Sequence, residues 1–387
     1  METAVQLTIC RPEWFRPVPN VAAHYVPALQ SLSGELDALT HASGETWEHL
    51  TPLIQVRGPK TPRKESYRED AVRGWVKKVS EAVGHRPCFL DTLRLVPTHA
   101  AATKDGECPV LSVIHAAARK RGLEFVPVLK LGSRPTEVKL IRNTALTDGR
   151  GVALRYRLLS LALPAGQTAE ALIKETLSAV EVEFAGADLL IDLGFLSQDA
   201  EVHTEDIAPA VNKLAAAGEW RSIVLLGTSM PSSLGGGVVQ EGTIGRLPRR
   251  EWDLWSSLRE FGLDRVPTYG DYAIQHPDPP LEGHETGPGQ RANIRYTTND
   301  VTLVPRAVGA VVTEGREQYR DLCKQLVIQP EYAGRDFTWG DELIADCAYG
   351  NEEPGWQNYW RGAGTSHHLR HVVEQLAHYL PGGETPR

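Results

Sequence analysis

The sequence has few cysteines for its length, and none of them pair as CxxC: Cys10, Cys88, Cys108, Cys323 and Cys347 are scattered through 387 residues. An odd, unspaced set excludes a disulfide framework and a zinc knuckle, and predicts reduced thiols in the cytosol. Long apolar runs are also missing. Even VALRYRLLSLALPAG is interrupted by arginines, so no stretch suits a membrane span. The opening METAVQLTICRPEWFRPVPN lacks the basic region and apolar run of a secretion signal, and a cytoplasmic location is expected. There is no excess of basic charge. The formal net charge is −8, which argues against broad nucleic-acid binding and leaves room only for a local basic groove. No GxGxxG or Walker loop follows the first strand-like segment; the glycine-rich SSLGGGVV comes much later and suits a mobile βα loop better than a phosphate cradle.

What the sequence does have is alternation. Eight short apolar runs, HYVPALQ, LTPLIQV, RPCFLDTLRL, EFVPVLKLG, GVALRYRL, ADLLIDLGF, RSIVLLGTS and VPTYGDYAI, read as strands. Helix-like stretches such as YREDAVRGWVKKVSEAVG, PVLSVIHAAARKRG, TAEALIKETLSAVEVEFAG and DIAPAVNKLAAAG lie between them and end near glycines. Eight such units over roughly 255 residues predict a (β/α)8 TIM-like barrel rather than an open doubly wound sheet. The expected organisation is an N-terminal extension (1–23) carrying Trp14 and Phe15, a barrel (24–276), a Pro- and Gly-dense connector (277–290), and a C-terminal α+β appendage (291–387) packed on the barrel. In the appendage, NIRYTTNDVTLVPRA alternates as a strand pair, while REQYRDLCKQLVI, WGDELIADCAYG and HHLRHVVEQLAHYL look helical.

Chemistry in such barrels sits at the carboxyl ends of the strands. The residues expected there are Glu35 after strand one, Asp91 and Arg94 on strand three, Arg155 and Arg157 on strand five, Asp192 on strand six, Thr228 and Ser229 on strand seven, and Asp271 and Tyr272 on strand eight. One reading makes Asp91, Asp192 and Asp271 the ligands of a divalent cation, Mg²⁺ or Mn²⁺, or uses two carboxylates as acid and base while arginines hold an anion. The other has Asp192 and Arg155 simply neutralise each other inside the barrel. Ser229 in GTSMP lacks the GxSxG context of a nucleophile and reads as a turn. In RREWDLWSSL, Trp252 and Trp255 are expected in the core, with Arg249 or Arg250 facing the mouth.

The tail SHHLRHVVEQLAH puts His367, His371, Glu374 and His378 on one helical face, but the glutamate that metalloprotease helices carry between their histidines is absent. A zinc site confined to the tail is therefore disfavoured. His367 and His368, about 100° apart on a helix, can serve different neighbours, one donating into the barrel mouth while the other packs or caps. The alternative is a docked helix with satisfied histidines.

Taken in order, YVPALQSLSGE running into LTPLIQV, then FLDTLRL, DLLIDLG, GTSMPSSLG with RREW, YGDYAIQHP, NIRYTTND, WGDELIADCA and WRGAGTSHHL resemble the beta protein family over residues 24 to 378. The resemblance implies a setting: phage and satellite-phage defence cassettes, beside a killer protein that the beta protein is thought to restrain. It implies no settled reaction. By matching motif it points to Glu35, Asp91, Asp192, Asp271 and His368 as candidate catalytic residues, and to Arg155, Ser229, Tyr272, Arg295, Arg361 and His367 as candidate binding residues, with Glu251, Tyr296 and Asp341 in the same motifs. One departure matters: the family pattern has a lysine shortly before the Gly-Glu pair of the first loop, where this chain has Leu32, which puts a lysine base or phosphate anchor in doubt. Two functions follow as expectations. The first is a regulatory protein of an antiphage system whose charged mouth recognises a co-encoded defence or toxin protein. The second is a hydrolase of a phosphodiester or nucleotide, with Arg155 or Arg361 clamping phosphate.

Overall fold

The computed structural model describes residues 24–56, 66–92, 95, 100–103, 106–160, 163, 166–198, 202–278 and 289–378. The N-terminal extension, Arg94 and most of the connector lie outside this set. All eight anticipated strands form and close on themselves: β1 (Tyr25–Gln30), β2 (Leu53–Gln55), β3 (Cys88–Asp91), β4 (Phe125–Lys130), β5 (Val152–Arg157), β6 (Ala187–Phe195), β7 (Ser222–Thr228) and β8 (Thr268–Asp271). Each pairs in parallel with its neighbours in chain order, and β8 pairs with β1 to complete the barrel.

Alternation along each strand sorts side chains to the lumen or to the surrounding helices. Val26, Ala28, Leu53, Phe89, Val126, Val128, Ala153, Leu190, Val224, Leu226 and Tyr272 pack together inside the barrel. The other parity, including Tyr25, Leu29, Ile54, Leu90, Leu154, Ile191, Leu225 and Tyr269, joins the helices in the larger outer core, where Trp252 and Trp255 also lie.

Loops at the carboxyl ends carry structure that the sequence pattern did not show. Ser66–Arg68 pairs with Ala100–Thr103, which pairs with Gly106–Pro109, making a small sheet from the loops after β2 and β3. The loop after β7 contributes a strand, Ile244–Pro248, that pairs antiparallel with Val301–Ala310 of the appendage. Val301–Ala310 also pairs with Arg291–Asn293 and Tyr296–Thr297. The glycine-rich run is held at both ends: Leu234 and Val239 are buried against Met230, Leu247 and Val304, and Arg306 donates to the Leu234 carbonyl at 2.9 Å, while Gly236 and Gly237 between them are exposed.

The C-terminal helix, Gln357–Ala377, begins about three turns before the histidine-rich stretch. Its early part, WRGAGTS, is small enough to pass between two neighbours. A Cβ on Gly34, in the helix Ser33–Thr40, would strike the Asn358 carbonyl and come within 2.8 Å of the Gly362 nitrogen. A Cβ on Gly340, in the helix Trp339–Tyr349, would strike the Ala363 carbonyl on the other side. Backbone cannot move aside as a side chain can, so Gly34→Ala is expected to cost about 1–3 kcal/mol through overpacking. Urea unfolding would check this; a loss under about 0.5 kcal/mol would mean the helices separate easily.

Candidate functional site

The barrel mouth is built by a single step in each strand. Two residues beyond Phe89, Ala153 and Leu190 of the lumen stand Asp91, Arg155 and Asp192, so all three point inward above the apolar layer. Arg155 is the hub. It is ion-paired with Asp91 through Nη1, donates to Asp192 Oδ2 from Nε at 3.0 Å and Nη2 at 2.8 Å, and donates to the Tyr272 hydroxyl at 2.5 Å. Tyr272 in turn donates to Asp192 Oδ1 at 2.7 Å, the Gly194 backbone N–H reaches the same oxygen at 2.8 Å, and Arg157 bridges Asp192 to Asp278 at the rim.

Burial by itself would push the Arg155 guanidinium down, but Tyr272, Asp192 and Asp91 raise it well above its ordinary value. Burial would raise Asp192, yet Arg155, Arg157 and the Tyr272 hydroxyl hold it below the usual carboxylate range. Desolvation pushes the Tyr272 phenol far up, so it stays neutral and donates. The site is a buried, internally neutralised cluster. Gln55 joins it through Asp91 at 3.5 Å, and its register neighbour Gln30 donates to the His276 carbonyl at 3.1 Å.

Asp271 is not part of this cluster. It precedes the inward-facing Tyr272 by one residue, and one step along a strand turns a side chain to the opposite face. It points outward with Tyr25 and Tyr269. Its Oδ1 accepts from the Tyr25 hydroxyl at 2.5 Å and the Ala273 N–H at 2.8 Å, and its Oδ2 from the Tyr269 hydroxyl at 3.0 Å and His368 Nε2 at 3.0 Å. Ala273 takes φ +48°, an uncommon conformation for a residue with a side chain, where the strand turns off after this junction. The expected cation site of Asp91, Asp192 and Asp271 is thus corrected: two of the carboxylates are bridged by Arg155, and the third lies on the other side of the barrel wall. Among the described residues, no group of three or more His, Cys, Asp or Glu side chains is placed to hold a metal ion.

The adjacent histidines divide their work. His368 faces the barrel: its Nδ1 accepts from the Thr297 hydroxyl at 2.7 Å and its Nε2–H serves Asp271, a tautomer assigned from its partners. Burial lowers the His368 pKa against the upward pull of Asp271, and Arg249 and His367 add to the lowering. His367 faces the appendage. Its Nε2 donates to the Thr297 carbonyl at 2.8 Å, its Nδ1 lies 3.0 Å from Asp341 Oδ2, and its ring stacks on Tyr296 at 3.7 Å. Asp341 also accepts from Tyr296 at 2.8 Å and from Thr338 at 2.5 Å. Thr297 touches both histidines, one by its carbonyl and the other by its hydroxyl. Neither ring opens into the barrel mouth, and His371 stacks on His367 at 5.6 Å instead of completing a metal face.

Ser229 is similarly committed. Its N–H and hydroxyl both reach Glu251 Oε2, at 2.8 and 2.5 Å, beside the Pro248 carbonyl. Burial raises the Glu251 pKa despite Arg249 and the Ser229 bonds. Arg249 and Arg250 do not face the mouth: Arg249 is buried and donates to the Thr298 carbonyl and Gln375, both at 2.8 Å, while Arg250 donates to the Ser197 and Gln198 carbonyls. Glu35 is wholly buried in the helix after β1. Arg295 donates to the Ile274 carbonyl at 2.6 Å and to Gln275 at 3.2 Å, and Arg361 to Asn358 at 2.8 Å; these two arginines line one small cavity at the seam between barrel and appendage.

Sequence reasoning missed Tyr25, Tyr269 and Thr297, which complete the outer network. The signal was available for the tyrosines, since they share strand parity with Asp271. It was not available for Thr297, whose two contacts depend on how the C-terminal helix docks.

A family model described as Beta protein matches residues 25–374 of the chain. Protein beta of Enterobacteria phage P4 is 23% identical over 335 residues, covering 84% of this chain and 86% of that protein.

Proposed function

Because this chain belongs to the beta protein family, we propose that it is a regulatory binding protein of a phage-defence system, restraining a co-encoded toxic partner with the exposed rim of its barrel mouth, rather than the neutralised cluster beneath it, as the recognition surface. One observation carries this reading. The motifs YGDYA, RYTT, WGDE and SHH meet, through Asp271, Tyr296, Thr297, Asp341, His367 and His368, in a buried network that bolts appendage to barrel. These polar residues are spent on holding two halves together rather than poised beside an open site. Phosphodiester hydrolysis would call for Asp91 and Asp192 to bind a cation, and Arg155 already occupies that role between them.

The exposed rim of the mouth is accessible to a partner through Lys130, at the end of β4, and Asp278. Each gene flanking this one should be expressed alone and together with it. The expected result is that one flanking product arrests growth, that this protein relieves the arrest, and that Lys130→Glu weakens the association about tenfold without altering the melting temperature. Failure to relieve arrest by any flanking product would overturn the restraint reading. Relief undiminished by the rim variant would move the recognition surface elsewhere.

A further inference from the structure

At the end of the barrel away from the mouth, the helices Glu69–Val83 and Val110–Lys120 pack side by side and lead into β3 and β4. An open trough of about 500 Å³ lies between them. Small residues, Ser80, Gly84 and Ala117, make its floor, and Arg73, His85, Lys120 and Arg121 make its walls. Spacing puts them there. Ser80 and Gly84 follow Arg73 by seven and eleven residues, and Lys120 and Arg121 follow Ala117 by three and four, so each set shares one helical face. Gly84 closes its helix at φ +67°, a conformation that favours glycine, and its lack of a side chain keeps the floor open.

None of the residues lining this trough is acidic, although the chain's net charge is −8. Arg73 is ion-paired with Glu69 one turn earlier, which partly commits it. Lys120 and Arg121 are exposed, and among the described residues no carboxylate pairs with either side chain. Basic residues gather at helix C-termini to offset the helix dipole, but that accounts for only part of this set. The helix Val110–Lys120 already has Arg119 and Lys120 in its last turn, and Arg121 adds a further charge beyond it. The helix Glu69–Val83 has no basic residue in its last turn at all, and Arg73 stands well back from its end.

We propose that this trough is a binding site for a chain of phosphates, either free polyphosphate or the phosphate tail of a nucleotide. Arg73 and Gly84 are about 16 Å apart along their helix, so the basic groups line a length that a single phosphate would not fill and a chain of two or three would. Arginine forks match phosphate oxygens, and a lysine supplies a point charge beside them. The volume suits a small ligand. No aromatic side chain other than the His85 ring lines the trough, so it lacks the stacking platform on which single-stranded nucleic acids depend. The site lies at the opposite end of the barrel from the rim proposed for partner restraint, and its test needs no partner.

The full chain should be titrated by calorimetry with tripolyphosphate and, separately, with adenosine triphosphate, without divalent cations and against sulfate at matched ionic strength. Saturable binding of tripolyphosphate is expected, with affinity falling about tenfold or more in Lys120→Gln with Arg121→Gln, two exposed positions whose replacement should leave the melting temperature unchanged. Ser80→Tyr keeps every charge but fills the floor, and should weaken binding comparably. Tighter binding of the nucleotide than of tripolyphosphate would identify the nucleotide as the source; equal or weaker binding would identify the free polyphosphate. Tripolyphosphate bound no more tightly than sulfate, or undiminished in the charge variant or in Ser80→Tyr, would overturn the proposal. So would an oligonucleotide that binds more tightly than either ligand and is lost in the same variants, since it would make the trough part of a nucleic-acid surface.

Discussion

Replacing Arg155 with methionine is expected to destabilise the protein by about 3–5 kcal/mol, among the largest losses any single substitution should produce here. The substitution leaves Asp91 and Asp192 facing each other in the lumen, both buried, with the guanidinium that compensated them gone and the Tyr272 hydroxyl deprived of one donor. In urea the midpoint should fall at unchanged m-value. Replacing all three charges together, as Asp91→Leu, Arg155→Met and Asp192→Leu, should recover only part of that loss, because the apolar set removes the buried charges but leaves the Tyr272 hydroxyl, the Gly194 N–H and Arg157 without Asp192 as acceptor. A loss below about 1 kcal/mol for Arg155→Met would mean that water or another cation reaches the carboxylates, and the picture of a self-contained cluster would fail.

The second large effect is with acid. Desolvation lowers the pKa of His24 to about 4, with nearby His49 contributing, and that of His115 to about 4, with Arg119 contributing against the pull of Asp148. Desolvation likewise lowers His368, and pushes His371 well below its ordinary value with the help of His367. In each case the unfolded chain binds a proton that the folded chain refuses. Their contribution is therefore complete above the unfolded pKa of about 6.5 and is lost as pH falls from there through each folded value, about 4 for His24 and His115. Asp192 and Asp271 act in a lower window. Their folded pKa values are depressed, so their stabilisation is present above about 3.9 and is lost as pH falls through the folded values.

Stability should thus fall in two stages, histidines first and carboxylates afterwards. His115 is wholly buried between Thr144, 2.9 Å from Nδ1, and the Phe125 ring, and should account for up to about 3 kcal/mol of the first stage. Urea unfolding from pH 7.5 to 4.5 should show this slope, and His115→Gln should flatten it by about one proton's worth, near 1.4 kcal/mol per pH unit. A stability flat across that range would show that these rings are hydrated or charged in the folded state.

Much of the fold was legible because its determinants are local. A barrel strand advertises itself by a short apolar run, and the helix that follows ends at a glycine; eight repetitions leave little choice of architecture. The ordered motifs carried the family assignment for a similar reason, since their order along the chain survives without knowledge of their contacts. Parity was also written in the sequence. Asp271 and Tyr272 are neighbours, so only one of them can face the lumen, and placing both at the mouth overlooked that constraint.

Partner choice was not legible. Arg155 meets residues 64, 37 and 117 positions away only once the barrel closes, and closure decides that Asp91 and Asp192 share one guanidinium instead of one cation. Likewise the strand Ile244–Pro248 belongs by chain position to a barrel loop and by hydrogen bonding to the appendage. By itself the sequence determined which segments are the barrel strands and the helices between them, the alternation of faces along each strand, and which family the chain resembles, because these depend on periodicity and order. Tertiary structure alone decided that the histidine tail is a bolt and not a metal face, that Arg155 is spent, and that Arg295 and Arg361 share a cavity, because each depends on two distant segments arriving within a few ångströms of one another.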